Sequence, residues 1–157
     1  MCWSIANVGR VPKILLSLHV LVAILAVGPV AVAASRFPSA LRAADATAVA
    51  SLRTLHRICR VYALIGIAVP VFGFATAGAM HVTGDAWVLV SIGLTAVAAA
   101  VLGLLVLPRQ RAALAVVEAR STIAPNVGAR IAMVTGVFNL LWVAVTVLMI
   151  VRPGSST

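Results

Sequence analysis

Four uninterrupted apolar stretches, Ile14 to Ala34, Val61 to Met80, Trp87 to Leu107 and Ile131 to Val151, constrain this chain more than any other feature of its sequence. Each is about 20 residues long, the length a helix needs to cross a hydrocarbon core of about 30 Å. A helix also satisfies its own backbone hydrogen bonds where no water can do so. The segments between the stretches hold nearly all the charges and many of the helix breakers, so no separate soluble domain is expected. Composition agrees: 63% of residues are hydrophobic and only 10% are charged, whereas soluble domains carry about 25% charged residues. The expected fold is an all-α membrane protein, a four-transmembrane-helix bundle forming a single membrane domain over residues 1–157.

The formal net charge of +9 would point to nucleic acid in a soluble protein, but here the basic residues first have to be read as topology signals. With four spans, Arg10, Lys13 and Arg152 share one side, while Arg36, Arg42, Arg53, Arg57, Arg60, Arg109, Arg111, Arg120 and Arg130 share the other. The positive-inside rule puts both long loops in the cytoplasm and both termini outside. These charges orient the chain and attract anionic headgroups, at about 1 kcal/mol per basic residue near the surface; no nucleic-acid partner is expected. All but one of the basic residues are arginine and the chain is rich in alanine and valine, a usage common in high-GC bacteria. A multi-pass protein of the bacterial inner (plasma) membrane is therefore expected, with the lipid bilayer as its first partner.

Ala31-Val32-Ala33 resembles a signal-peptidase site, and cleavage there would leave three spans. The preceding apolar run exceeds the usual 7–15 residues of a signal core, so an uncleaved first span is the reading adopted. Cys2 and Cys59 fall on opposite sides of the membrane and are not expected to pair. Cys59 reads as a small packing residue.

Between the first two spans, residues 38–60 carry Leu41, Ala44, Ala48, Leu52 and Leu55 at helical spacing, with Arg42, Asp45, Arg53 and Arg57 on other faces. This pattern predicts an amphipathic cytoplasmic helix lying on, or running into, the second span. Thr83-Gly84-Asp85 predicts a tight turn that makes spans two and three antiparallel neighbours. A short helix from Arg109 to Arg120 is expected in the third loop, stopped near Pro125.

Helices in lipid associate by close packing and interhelical hydrogen bonds, so small and polar residues should mark the faces turned toward one another. The expected stripes are His19, Ala23, Ala26, Val30 and Ala33 in the first span, and Gly66, Pro70, Gly73, Ala77 and Met80 or His81 in the second. Those of the third and fourth spans are Ser91, Thr95, Ala99 and Gly103, and Ala132, Gly136, Asn139, Val143 and Thr146.

His19 is the one ionisable side chain clearly inside a span, and such a group is a functional candidate by default. The antiparallel arrangement should bring it beside Met80 and His81, with Thr146 at similar depth. Two imidazoles and a thioether could bind copper or supply axial ligands to a haem: His19, Met80 and His81 are the candidate cofactor ligands, and His19 and His81 the candidate metal ligands. Against this stands a structural role in which a neutral His19 hydrogen-bonds Thr146 or a backbone carbonyl and holds helices together. His56 is expected at the interface among Arg53, Arg57 and Arg60. Asn139 is expected to join helices, or to line a path if the chain is a small transporter. Trp3, Trp87 and Trp142 read as anchors or packing groups. Asp45, Asp85 and Glu118 all fall in loops, which weighs against proton-coupled transport, and no phosphate loop, nucleophile motif or metalloprotease helix occurs.

Leu18-His19 followed by Gly28, Gly84 to Trp87 opening the third span, Leu107-Pro108 closing it, and Met149-Ile150-Val151-Arg152-Pro153-Gly154 together resemble an uncharacterised bacterial four-span integral membrane family. Departures are Pro29, where that family commonly has a second glycine, and Arg152, where it often has lysine. More distantly the chain is similar to copper-resistance D-type membrane proteins and to the membrane protoporphyrinogen-oxidase type; that resemblance implies a metal or haem ligand role for His19 alone. The functional expectation is an accessory protein, scaffold or complex subunit without its own catalysis, as a homo-oligomer or within a larger membrane complex. The alternatives are a haem- or copper-binding protein and a small transporter.

Overall fold

The computed structural model describes residues 10–43 and 48–153; Cys2, Trp3, Ala44, Asp45 and Gly154 lie outside them. Six α-helices follow in order: α1 (Arg10–Ala43), α2 (Ala48–Ile65), α3 (Ala68–Ala79), α4 (Ala86–Ala100), α5 (Leu107–Glu118) and α6 (Val127–Val151). A π-helical segment, Val101–Val106, joins α4 to α5. Together they make four rods, each long and apolar enough to cross a membrane: Arg10–Ala43, Ala48–Ala79, Ala86–Glu118 and Val127–Val151.

The first three rods overrun the stretches read from hydropathy, and the loops shrink accordingly. α1 has 34 residues, about 50 Å at 1.5 Å per residue against a core of about 30 Å. Residues 38–60 are divided between two rods: 38–43 end α1, and 48–60 open α2, which runs toward the second span. Pro38, read as the start of a separate helix, lies buried inside α1. Proline removes one intrahelical bond, but its neighbours hold the helix, because Phe37 and Leu41 pack on Leu52, Ala113, Leu114 and Ile131. The helix expected from Arg109 to Arg120 is likewise the end of the third rod.

Prolines explain the two irregularities. Pro70 has no N–H to give to Gly66, whose carbonyl instead accepts from Val69 at 3.1 Å, and the second rod breaks between α2 and α3. Pro108 would crowd the carbonyl of Leu104, and the wider π turn lies immediately before it.

The second, third and fourth rods end in left-handed residues, His81, Arg120 and Arg152. At the end of α3, His81 N–H donates to Gly78 and Val82 N–H to Ala77, with His81 at φ 57°. After α5 the same pair of bonds joins Arg120 to Val117 and Ser121 to Val116, with Arg120 at φ 52°. Both are Schellman closures, in which glycine is the usual residue. The expected tight turn follows His81, closed by Asp85 N–H on the Val82 carbonyl at 3.1 Å.

α1 is the hub, packing on α2, α3 and α6, while α4 packs on α6 and α5 on α2. Spans two and three are therefore neighbours mainly through α2 and α5, and contact between α3 and α4 is slight. The core lies in the half of the bundle toward the arginine-rich end, around Val30, Ala34, Cys59, Ala98, Leu102 and Phe138.

The stripe expected on α1 faces inward: His19, Ala26, Val30 and Ala33 are buried and Ala23 is half-buried. The stripes expected on the third and fourth spans need correction. On the third rod, Ser91 is buried but Ala99 and Gly103 face outward, and Ala98, Leu102 and Val106 take their place inside. On α6, Ala132, Val143 and Thr146 are exposed, and Ile131, Thr135, Phe138 and Val145 are buried. Large rings set that face: Phe138 and Trp142 meet edge to face with centroids 6.4 Å apart, an arrangement the ring quadrupoles favour.

Candidate functional site

His19 lies ten residues into α1 and is 7% exposed. Its Nδ1 sits 3.0 Å from the carbonyl oxygen of Val69, near the start of α3. A carbonyl only accepts, so Nδ1 carries the proton and Nε2 is the nitrogen left for other chemistry. The ring lies against Gly73: a Cβ placed there would come within 3.1 Å of His19 Cε1. The broken second rod thus admits the imidazole twice, through a backbone acceptor and through a glycine without a side chain.

Met80 and His81 fall at the far end of α3, seven and eight residues beyond Gly73. At 1.5 Å per residue that is about 10 Å along the axis. Met80 is half-buried and His81 exposed at the left-handed cap. Thr146 is not the partner of His19; its hydroxyl donates to the Trp142 carbonyl within its own helix. Among the described residues, no three His, Cys, Asp or Glu side chains gather closely enough to hold a metal. His19 is the buried member of the three candidate ligands, and Met80 and His81 stand farther out along the rod, apart from it.

The same end carries a second linked set. Trp87 Nε1 donates to Asp85 Oδ2 at 3.1 Å, and the Arg152 guanidinium lies 5.6 Å from the centre of the Trp87 ring. This ties the opening of the third rod to the close of the fourth.

At the arginine-rich end, Gln110 is fully buried. Its Nε2 donates to Cys59 Sγ at 3.7 Å, and its Oε1 lies 3.3 Å from His56 Nδ1, so the imidazole donates there. Cys59 lies 4.0 Å from the Val30 carbonyl and is fully enclosed, matching its reading as a packing residue. His56 is half-buried rather than merely superficial. Gln110 stands between Arg109 and Arg111 and reads as a surface residue; only its helical phase with Val106, Ala113 and Leu114 marks it as inward. Nearby, Arg53 pairs with Glu118 at 2.6 Å, both side chains being well exposed.

On α6, Asn139 Nδ2 donates to Ser35 Oγ at 3.1 Å and joins the first and last rods, as expected of a membrane amide. Thr135 Oγ1, Asn139 Oδ1 and Trp142 Nε1 are enclosed and have no hydrogen-bond partner among the described residues.

Compared with protein-family models, curated proteins and solved structures, the chain gives no match in any of the three.

Proposed function

We propose that this chain is an accessory or scaffold subunit of the membrane, acting by helix association rather than by catalysis of its own. One observation carries the reading. Gly93, Ala96, Ala100 and Gly103 recur at helical spacing on the third rod and all face outward, and neither glycine has an atom within 4 Å of where a Cβ would stand. In lipid, where apolar surface alone drives no association, such a smooth face lets another helix approach closely. The partner is a second copy or another membrane protein. In this reading the nine-arginine end faces the cytoplasm of a bacterial inner membrane, both termini lie outside, and α2 sets Leu52 and Cys59 inward with Arg53, Arg57 and Arg60 at the cytoplasmic surface as the amphipathic element. Membership of the uncharacterised four-span family remains a resemblance of short motifs. Native mass spectrometry from mild detergent tests the association: the wild type is expected in a defined assembly and Gly103→Leu as a monomer, whereas a monomeric wild type would overturn the proposal.

A second reading has its own observation. Histidines that ligate metals usually donate their other ring N–H to a carboxylate or backbone carbonyl, which fixes the tautomer, and His19 does this with Val69. Haem or copper on Nε2 is the corresponding function. The test is a visible spectrum with metal analysis of protein expressed with both available, beside His19→Ala: stoichiometric loading lost in the variant supports it, and a colourless, metal-free wild type removes it.

A further inference from the structure

A cleft of about 670 Å³ opens at the arginine-rich end, between the close of α1, the start of α2, residues 117–125 and the first turn of α6. Its lining is divided by chemistry. Leu41, Leu52 and Ile123 belong to the second core cluster and give it an apolar floor, while Arg42, Arg120 and Thr122 supply charge and a hydroxyl. The Arg42 side chain lies over Gly128, where a Cβ would meet its Cγ and Nη1 at 4.0 Å. The α6 helix starts there with no acidic residue in its first turn and no side-chain cap from Asn126. Two cationic side chains and the positive end of a helix dipole thus share one opening. The acid described at this end of the bundle, Glu118, has its Oε1 on Arg53. Arg120 also holds a left-handed backbone that glycine would adopt without strain.

We propose that this cleft binds the phosphate headgroup of an anionic phospholipid. The phosphodiester would lie between Arg42 and Arg120, and the upper part of the acyl chains on the apolar floor. A free phosphate or a soluble phosphate ester shares the charge but has no use for Leu41, Leu52 and Ile123. The nine arginines of the sequence's second group all lie on this half of the bundle, so lipid headgroups are the phosphates at hand. Charge alone would bind lipid diffusely over that whole face; a cleft binds it at a fixed stoichiometry.

Full-length protein in detergent is titrated with phosphatidylglycerol and with phosphatidylcholine, and bound lipid is counted by native mass spectrometry. The variants are R42Q/R120Q, the control pair R57Q/R60Q on exposed positions outside the cleft, and T122W, which crowds the cleft and leaves its charge intact. The expected result is one tightly held phosphatidylglycerol, with affinity reduced about tenfold or more in R42Q/R120Q and in T122W and by less than about twofold in the control pair. Melting temperatures measured in phosphatidylcholine show that the variants are folded; a variant that fails this check is replaced by R42Q alone, for which the same loss is expected. Equal binding of phosphatidylcholine, or an equal loss in the control pair, would overturn the proposal. Displacement of the lipid by millimolar inorganic phosphate or glycerol phosphate would assign the cleft to a soluble phosphate ester instead and overturn the lipid assignment.

Discussion

His19 on the first helix donates its Nδ1 proton to the Val69 carbonyl, 3.0 Å away and fifty residues on in sequence. The bond links the first rod to the second just past the Pro70 break, and it depends on Gly73 leaving room for the ring. Gly73→Val is therefore expected to destabilise the bundle by about 1–3 kcal/mol through overpacking. In the His19→Ala background the same substitution should cost clearly less. Reversible unfolding in mixed detergent and SDS measures both; equal costs in the two backgrounds would show that ring and glycine are not coupled.

His81 caps α3 in a left-handed conformation. Replacing it with glycine removes a strain of about 1 kcal/mol and should stabilise the protein by a similar amount, while His81→Val should destabilise it. The same pair of variants bears on the cofactor reading, because His81→Gly would then gain stability and lose bound haem or copper.

Gln110 bridges His56 and Cys59 in a fully buried position. Gln110→Leu leaves the half-buried His56 imidazole N–H without its acceptor, at a cost of about 1 kcal/mol in the same unfolding assay. Cys59 is expected to resist membrane-permeant maleimide in folded protein carrying Cys2→Ser, and to react once SDS has unfolded it. Prompt labelling in the folded state would contradict the burial.

The Arg53–Glu118 pair is short but well exposed, and exposed pairs contribute about 0–1 kcal/mol. Glu118→Gln should therefore shift stability by no more than that, and by less still at high salt. A larger, salt-independent loss would mean that the pair is shielded in the assembled protein.

Four spans were legible because the apolar runs are long and helices are the simplest answer to an unsatisfied backbone in lipid. The face of α1 was legible as well, since His19, Ala26, Val30 and Ala33 recur at helical spacing from the one ionisable side chain inside that span. The faces of the third rod and of α6 were not. In a span apolar all round, no polarity contrast separates the inside from the lipid side, so Phe138 and Ile131 could take the interior while Gly103 and Ala132 turned outward. Helix ends were misread for a related reason: hydropathy marks where the membrane ends, and Arg36, Arg42 and Arg53 are good helix formers that carry the rods past that boundary. Gln110 shares its helical phase with Val106, Ala113 and Leu114, but Arg109 and Arg111 on either side mask that signal, and which backbone carbonyl His19 reaches depended on tertiary placement.

The small-residue face of the third rod is proposed to meet another helix in the membrane. This is tested most directly by site-specific photocrosslinking in native membranes, with a benzophenone attached to Ala96→Cys or to Leu140→Cys in a background free of Cys2 and Cys59. Leu140 is 70% exposed on the last helix, outside that face. One discrete higher-mass adduct is expected from position 96 and none from position 140. Equal yields from the two positions, or no adduct from either, would contradict it.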